Sequence, residues 1–158
     1  MRRGILRLGV AMIMAVLVGA CATANYPDVS RQRMASLPEH YTQFDLQLAW
    51  STRSVADHTV VEGIVRNVRW AHLYDLEIWV AILGPDGKEA ARSVSYVIPR
   101  QLDQDRAAPF SVQLSRPAPA GSKLRFTYRY RGSDGGDEFR ESGAGGMLWV
   151  QSFEATVP

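Results

Sequence analysis

The sequence predicts an all-β protein, a two-sheet Greek-key sandwich of seven strands that follows an apolar leader and a polar tether. Three observations carry this expectation. Beyond Tyr41, apolar residues recur at every second position. Clusters of Gly and Pro interrupt that alternation at regular intervals. No stretch beyond the leader sustains a helical period.

The leader comes first in chain order. Arg2, Arg3 and Arg7 precede an uncharged run from Leu8 to Ala20, which is too short to cross the ~30 Å hydrocarbon core of a bilayer. Residues 1–20 are therefore expected to be a cleaved signal peptide. Val18-Gly19-Ala20-Cys21 resembles the lipobox of bacterial lipoproteins, which implies that Cys21 receives lipid and becomes the first mature residue. Cys21 is the one cysteine in the chain, and a secreted protein would otherwise carry an exposed reactive thiol. Several acyl chains give firm membrane attachment where one gives only marginal binding. By the same resemblance, Ala22 after the cysteine implies the periplasmic leaflet of the outer membrane.

Residues 21–40, polar and broken by Pro27 and Pro38, are expected to be the lipidated N-terminus and a flexible tether, with at most a helical turn at Ser30 to Met34. Residues 41–158 are the predicted sandwich. In its first strand Phe44, Leu46, Leu48 and Trp50 alternate with Asp45, Gln47 and Ala49. Thr59 to Val68 is the second. In the third, Tyr74 to Leu83, one face carries Leu76, Ile78, Val80 and Ile82, and the other Asp75, Glu77 and Trp79. Gly84-Pro85-Asp86-Gly87 then supplies proline where φ is near −65° and glycine where φ turns positive, so a hairpin returns along Glu89 to Ile98. Phe110 to Leu114 is the fifth strand. Pro117 to Gly121 breaks the pattern before the sixth, where Leu124, Phe126, Tyr128 and Tyr130 oppose Lys123, Arg125, Thr127, Arg129 and Arg131. Met147 to Val157 is the last.

Val61-Glu62-Gly63-Ile64-Val65-Arg66-Asn67, followed by the Leu76 to Ile82 strand, the Gly84 to Lys88 hairpin and Phe110-Ser111-Val112, resembles the immunoglobulin-like, fibronectin-III-like and FxLYD-type domains of bacterial envelope proteins. The resemblance spans roughly Phe44 to Leu114 and implies a binding, spacing or assembly module. It brings no catalytic residues with it, because a fold does not fix a function.

Charge narrows the partners. Losing Arg2, Arg3 and Arg7 takes the 18 basic residues to 15 against 16 acidic ones, so the basic character belongs to the leader. A near-neutral mature chain gives no basis for nucleic-acid binding. His40, His58 and His72 lie beside Glu39, Asp57 and Asp75 but lack the spacing of metal ligands, and no metal or other cofactor is expected. No nucleophile elbow or Ser/His/Asp arrangement is present, and the chain is expected not to be an enzyme. The binding candidates are Trp70 and Trp79 as interface aromatics, Arg125 and Arg129 on a basic strand face, and Asp134, Asp137 and Glu138 in the Gly-rich segment 132–146. Trp50 and Trp149 read as core. The expected function is a lipid-anchored, non-catalytic accessory or assembly module, outer-membrane bound and periplasm-facing, touching another envelope protein. The alternative is a small-ligand or glycan binder that uses Trp70, Trp79, Tyr128 and Tyr130 as exposed aromatics.

Overall fold

Alternate residues of each long strand turn into one shared core, so the strands assemble as two facing antiparallel sheets. The computed structural model describes residues 29–133 and 146–158. Its elements are α1 (Val29–Ser36), β1 (Glu39–Thr42), β2 (Leu46–Val55), β3 (His58–Asn67), β4 (His72–Leu83), β5 (Glu89–Tyr96), β6 (Gln101–Leu102), β7 (Ala107–Leu114), β8 (Lys123–Ser133) and β9 (Met147–Thr156). One sheet runs β1-β2-β3-β7; the other runs β5-β4-β8-β9, with β6 also paired to β4. The predicted sandwich is what forms, with nine strands in place of seven. The two additions, β1 and β6, are four and two residues long, too short for periodicity to announce.

Leu46, Leu48, Trp50, Val61, Val65, Phe110, Val112 and Leu114 face Ile78, Val80, Leu124, Phe126, Tyr128 and Tyr130 across the core. Aromatic rings lock the layers together. Phe126 and Phe153 stack at 4.9 Å, Tyr41 stacks on Phe153 at 3.6 Å, and Trp50 leans on Phe126 at 4.7 Å. Gly63 admits the Phe110 ring, since a Cβ there would meet the backbone carbonyl of Ala49 and lie 2.6 Å from that ring. Buried Asn67 ties the end of β3 to its surroundings. Its amide donates to the carbonyls of Ala71 (2.8 Å) and Leu102 (2.9 Å), and its side-chain oxygen accepts from the Arg69 N–H at 2.8 Å.

Several expectations need correction. Residues 29–40, assigned to the tether, instead supply α1 and the start of β1. The helix holds because Met34 and Leu37 pack on Ala49 and Ile64, where the small Ala49 leaves room on the outer side of the sheet. Ser36 Oγ donates to the Arg33 carbonyl at 2.8 Å, and Pro38 follows as a stop. In the first strand the predicted phase is reversed at its entry. Phe44 is 56% exposed and Asp45 is fully buried, because residues 44 and 45 form a bend ahead of β2 and the strand alternation starts only at Leu46. The predicted hairpin at Gly84 forms as expected, with the Gly87 N–H donating to the Gly84 carbonyl at 2.9 Å and Gly87 at φ 75°.

Candidate binding face

The two outer faces of the sandwich differ. Helix α1 covers part of the four-stranded sheet, over Ala49 and Ile64. Among the described residues, nothing equivalent covers the five-stranded sheet. Strand registers fix what that open face presents. One row reads Tyr96, Glu77, Arg129, Val150; the next reads Val94, Trp79, Thr127, Ser152; a third reads Arg92, Ala81, Arg125, Glu154.

The middle of this face is rigid. Arg129 grips Glu77 with two bonds, Nε to Oε2 at 2.6 Å and Nη2 to Oε1 at 2.9 Å. Trp79 Nε1 donates to the same Oε2 at 2.8 Å. The Trp79 ring carries Arg92 at 4.2 Å and Arg129 at 5.7 Å from its centre. Arg129's hydrogen bonds hold the Glu77 carboxyl below its ordinary range, against the opposing effect of burial. Arg125 pairs with Glu154 at 3.0 Å.

Beside this platform the ladder is interrupted: the β4–β8 register shifts between Tyr74 and Glu77. Asp75 sits there at φ 52°, a conformation that Asp and Asn tolerate better than most side chains. Its N–H donates to the Arg100 carbonyl at 2.8 Å, and Arg100 Nε donates to its carboxylate at 2.7 Å. The bulge leaves a groove of about 630 Å³ lined by Leu76, Tyr96, Ile98, Arg129, Arg131 and Leu148. Tyr96 is 66% exposed and Ile98 76%. A smaller hollow of about 230 Å³ beside Trp79, Arg92 and Arg125 adjoins the groove, with Arg129 and Leu148 lining both.

Of the residues singled out from sequence, this face gathers Trp79, Arg125 and Arg129. Trp70 stands apart, 77% exposed on the connection between β3 and β4. Asp134, Asp137 and Glu138 lie outside the described residues, as does Cys21. Tyr128 and Tyr130 are core residues, each fully shielded with its hydroxyl donating to Asp45, at 2.9 and 2.8 Å. The four-aromatic platform of the ligand-binding alternative is thus not assembled: two rings are buried, Trp70 lies off the sheet on the β3–β4 connection, and one side of Trp79 is taken by Arg92. Trp149, read as core, is only partly buried and carries Arg69 at 4.4 Å over its ring.

His58 bonds Asp57 at 3.0 Å as its neighbour in sequence suggested. His72 bonds Asp103 at 2.8 Å and leaves Asp75 to Arg100. The bonds from Gln101 and His72 hold the Asp103 carboxyl below its usual range. Among the described residues, no group of three or more His, Cys, Asp or Glu side chains is placed to hold a metal ion. No helix among them is long and apolar enough to cross a membrane.

Tyr96, Ile98 and Leu148 were not anticipated as site residues, whereas Arg131 lies on the basic strand face with Arg125 and Arg129. One signal was available for Leu148: it and Val150 alternate with Trp149 and Gln151, which places two aliphatic side chains on the face opposite the core.

No protein-family model matches the sequence, and no curated protein matches it. Solved structures do resemble it in shape. The GAE domain of GGA2p from Saccharomyces cerevisiae superposes with a TM-score of 0.51 at 8% identity, over 77% of this chain and 98% of that one. The yeast GGA1 GAE domain gives a TM-score of 0.48 at 11% identity, over 76% and 97%. A DUF4426 family protein from Pseudomonas aeruginosa PAO1 gives 0.37 at 13%, over 76% and 96%. At such identities the likeness is one of fold, and with the sheet order it makes this an immunoglobulin-like β-sandwich.

Proposed function

We propose that the protein is a lipid-anchored, non-catalytic accessory module of the periplasm, which binds another envelope protein through the outer face of its five-stranded sheet. One observation carries the binding surface. Among the described residues, α1 covers part of one outer face and nothing equivalent covers the other, which carries a groove where exposed Tyr96, Ile98 and Leu148 meet Arg129 and Arg131. Apolar and aromatic side chains mixed with arginine are the composition of protein interface cores, where lysine and acidic residues are depleted. The anchor and compartment rest on the sequence at Cys21 and its preceding leader.

Two measurements test the two halves. A photo-crosslinking residue at Tyr96, introduced into the full-length chain in intact cells, is expected to capture one envelope protein; the same residue at Gln113 on β7 is expected to capture none. Equal capture from both positions, or none from Tyr96, would overturn the binding face. Metabolic labelling with a palmitate analogue is expected to mark the wild-type chain and not Cys21→Ser. A labelled Cys21→Ser chain would remove the anchor at that residue.

A further inference from the structure

We infer that β9 is a pairing edge for a second copy of this chain, joining two five-stranded sheets into one continuous sheet. The inference rests on the edge of β9, which borders the proposed partner face at Leu148 and Arg131. Exposed strand edges present a row of unpaired N–H and C=O groups, and proteins block them with short strands, proline, bulges or charged side chains. Three edges here carry such devices. In the four-stranded sheet, β1 is only four residues long and β7 contains Pro109. At the far side of the five-stranded sheet, β5 carries Arg92, has a register irregularity beside Ile82, and sits against β7 with Ser111 N–H donating to Ser95 Oγ at 3.3 Å.

Among the described residues, strand β9 has none of these but one charge. It pairs with β8 over its full ten residues without a register shift. It contains no proline, lysine or arginine, and its single charge, Glu154, is drawn sideways onto Arg125 of the neighbouring strand. Met147, Leu148 and Val150 are exposed along it. Strand β1 lies across from β9 in the other sheet, through the Tyr41 and Phe153 rings, and forms no ladder with it.

The pattern of β9 selects a copy of itself as the occupant. An antiparallel two-fold placed at Gln151 keeps the pleat in phase, so outward residues oppose outward ones. Val150 then faces Ser152 of the second copy, and Trp149 faces Phe153 of the second copy on the inner side. Leu148 faces Glu154 of the second copy, and the residue beside Leu148 on β8 is Arg131. With strands ~4.8 Å apart, Arg131 and that glutamate are about 10 Å apart at the backbone, within reach of the two side chains over Leu148. Arg131 is exposed and has no carboxylate partner among the described residues. Each Glu154, whose Oε1 is held by Arg125 at 3.0 Å, can then offer its second oxygen to Arg131 of the other copy, once on each side of the axis. An unrelated strand has no reason to provide that match.

Disulfide trapping tests this in the full-length chain, expressed with its own N-terminus in bacterial cells and oxidised with copper phenanthroline. Gln151→Cys is expected to yield a homodimer whose disulfide, identified by mass spectrometry, joins residue 151 to residue 151. Thr156→Cys, on the same edge but far from its own copy across the axis, is expected to stay uncrosslinked. Because Gln151 is partly buried, a second pair avoids any effect on folding: chains carrying Val150→Cys and Ser152→Cys, co-expressed, are expected to join to each other. Adding Val150→Lys to Gln151→Cys is expected to cut the dimer about tenfold, as an edge charge should. No 151–151 or 150–152 disulfide, or trapping of β9 to a different protein, would overturn the inference.

Discussion

Asp45 lies wholly out of water, where its two oxygens take the hydroxyls of Tyr128 and Tyr130 at 2.9 and 2.8 Å. Neither tyrosine can ionise cheaply there. Burial, reinforced by the bond and charge of Asp45, pushes both phenols well above their ordinary pKa. The consequence for stability has a definite sign. Below about pH 10 both phenols are neutral in the folded and unfolded chains, and the contribution is complete. Above it the unfolded chain loses two protons that the folded chain keeps, so the unfolding free energy should fall by roughly 2.7 kcal/mol per pH unit. Urea unfolding of wild type and of Tyr128→Phe/Tyr130→Phe across pH 9 to 11 checks this; the double variant should show a much flatter alkaline limb. Parallel slopes would place the pH dependence elsewhere. Sequence showed the tyrosines' inward phase on β8 and missed their partner. Buried phenol hydroxyls require an acceptor, but period alone put Asp45 on the solvent side, because a bend at residues 44–45 is invisible to an alternation count. Gly63 and Asn67, by contrast, were legible as a motif and acquire a cause: one admits Phe110, the other satisfies two carbonyls and an N–H.

The elements that make the open face are β4, β5, β8 and β9, and the Glu77 side chain on β4 organises them by holding both Arg129 and Trp79. Its folded-state pKa is depressed, mainly by Arg129. The group therefore stabilises the fold at pH values above the unfolded carboxyl's pKa, near 4.3, and that contribution disappears as pH falls through the folded value. Wild type should melt higher than Glu77→Gln at pH 7, and the gap should close below about pH 4. A gap that stayed constant into acid would mean that packing, not the ionised carboxylate, carries the effect. The strands themselves were readable, since β4 and β8 alternate cleanly for most of their length. The groove was not. It depends on the register shift at Asp75, and Asp75 falls in an otherwise regular run whose sequence contains no glycine or proline to mark a bulge. Helix α1 was equally hidden, because it has one large apolar side chain, Met34, facing in, and its stability comes from the Ala49 and Ile64 surface beneath it.

At the scale of the molecule, the chain's two proposed attachments fall on different sheets of the sandwich. The N-terminal segment enters through α1 on the four-stranded sheet, and about eight residues separate Cys21 from Val29, a reach of up to ~28 Å when extended. The groove lies on the five-stranded sheet, and at its Tyr96 and Ile98 end, beside the β5 edge, it adjoins a hollow that Arg33 of α1 also lines. A module held at a membrane by one face and binding by the other predicts that charge on the open face changes capture without changing the fold. Arg131 is the residue to use, since Arg129 and Arg125 already serve Glu77 and Glu154 within the domain. Charge at an interface rim mainly sets encounter rate and partner choice, so Arg131→Glu should lower the Tyr96 crosslink to the envelope partner about fivefold while shifting Tm by no more than ~1 °C. Arg53→Glu, exposed on β2 of the opposite sheet, should leave capture unchanged. Equal losses from the two variants would point to a long-range effect of net charge, and the open face would then no longer be distinguished from the rest of the surface.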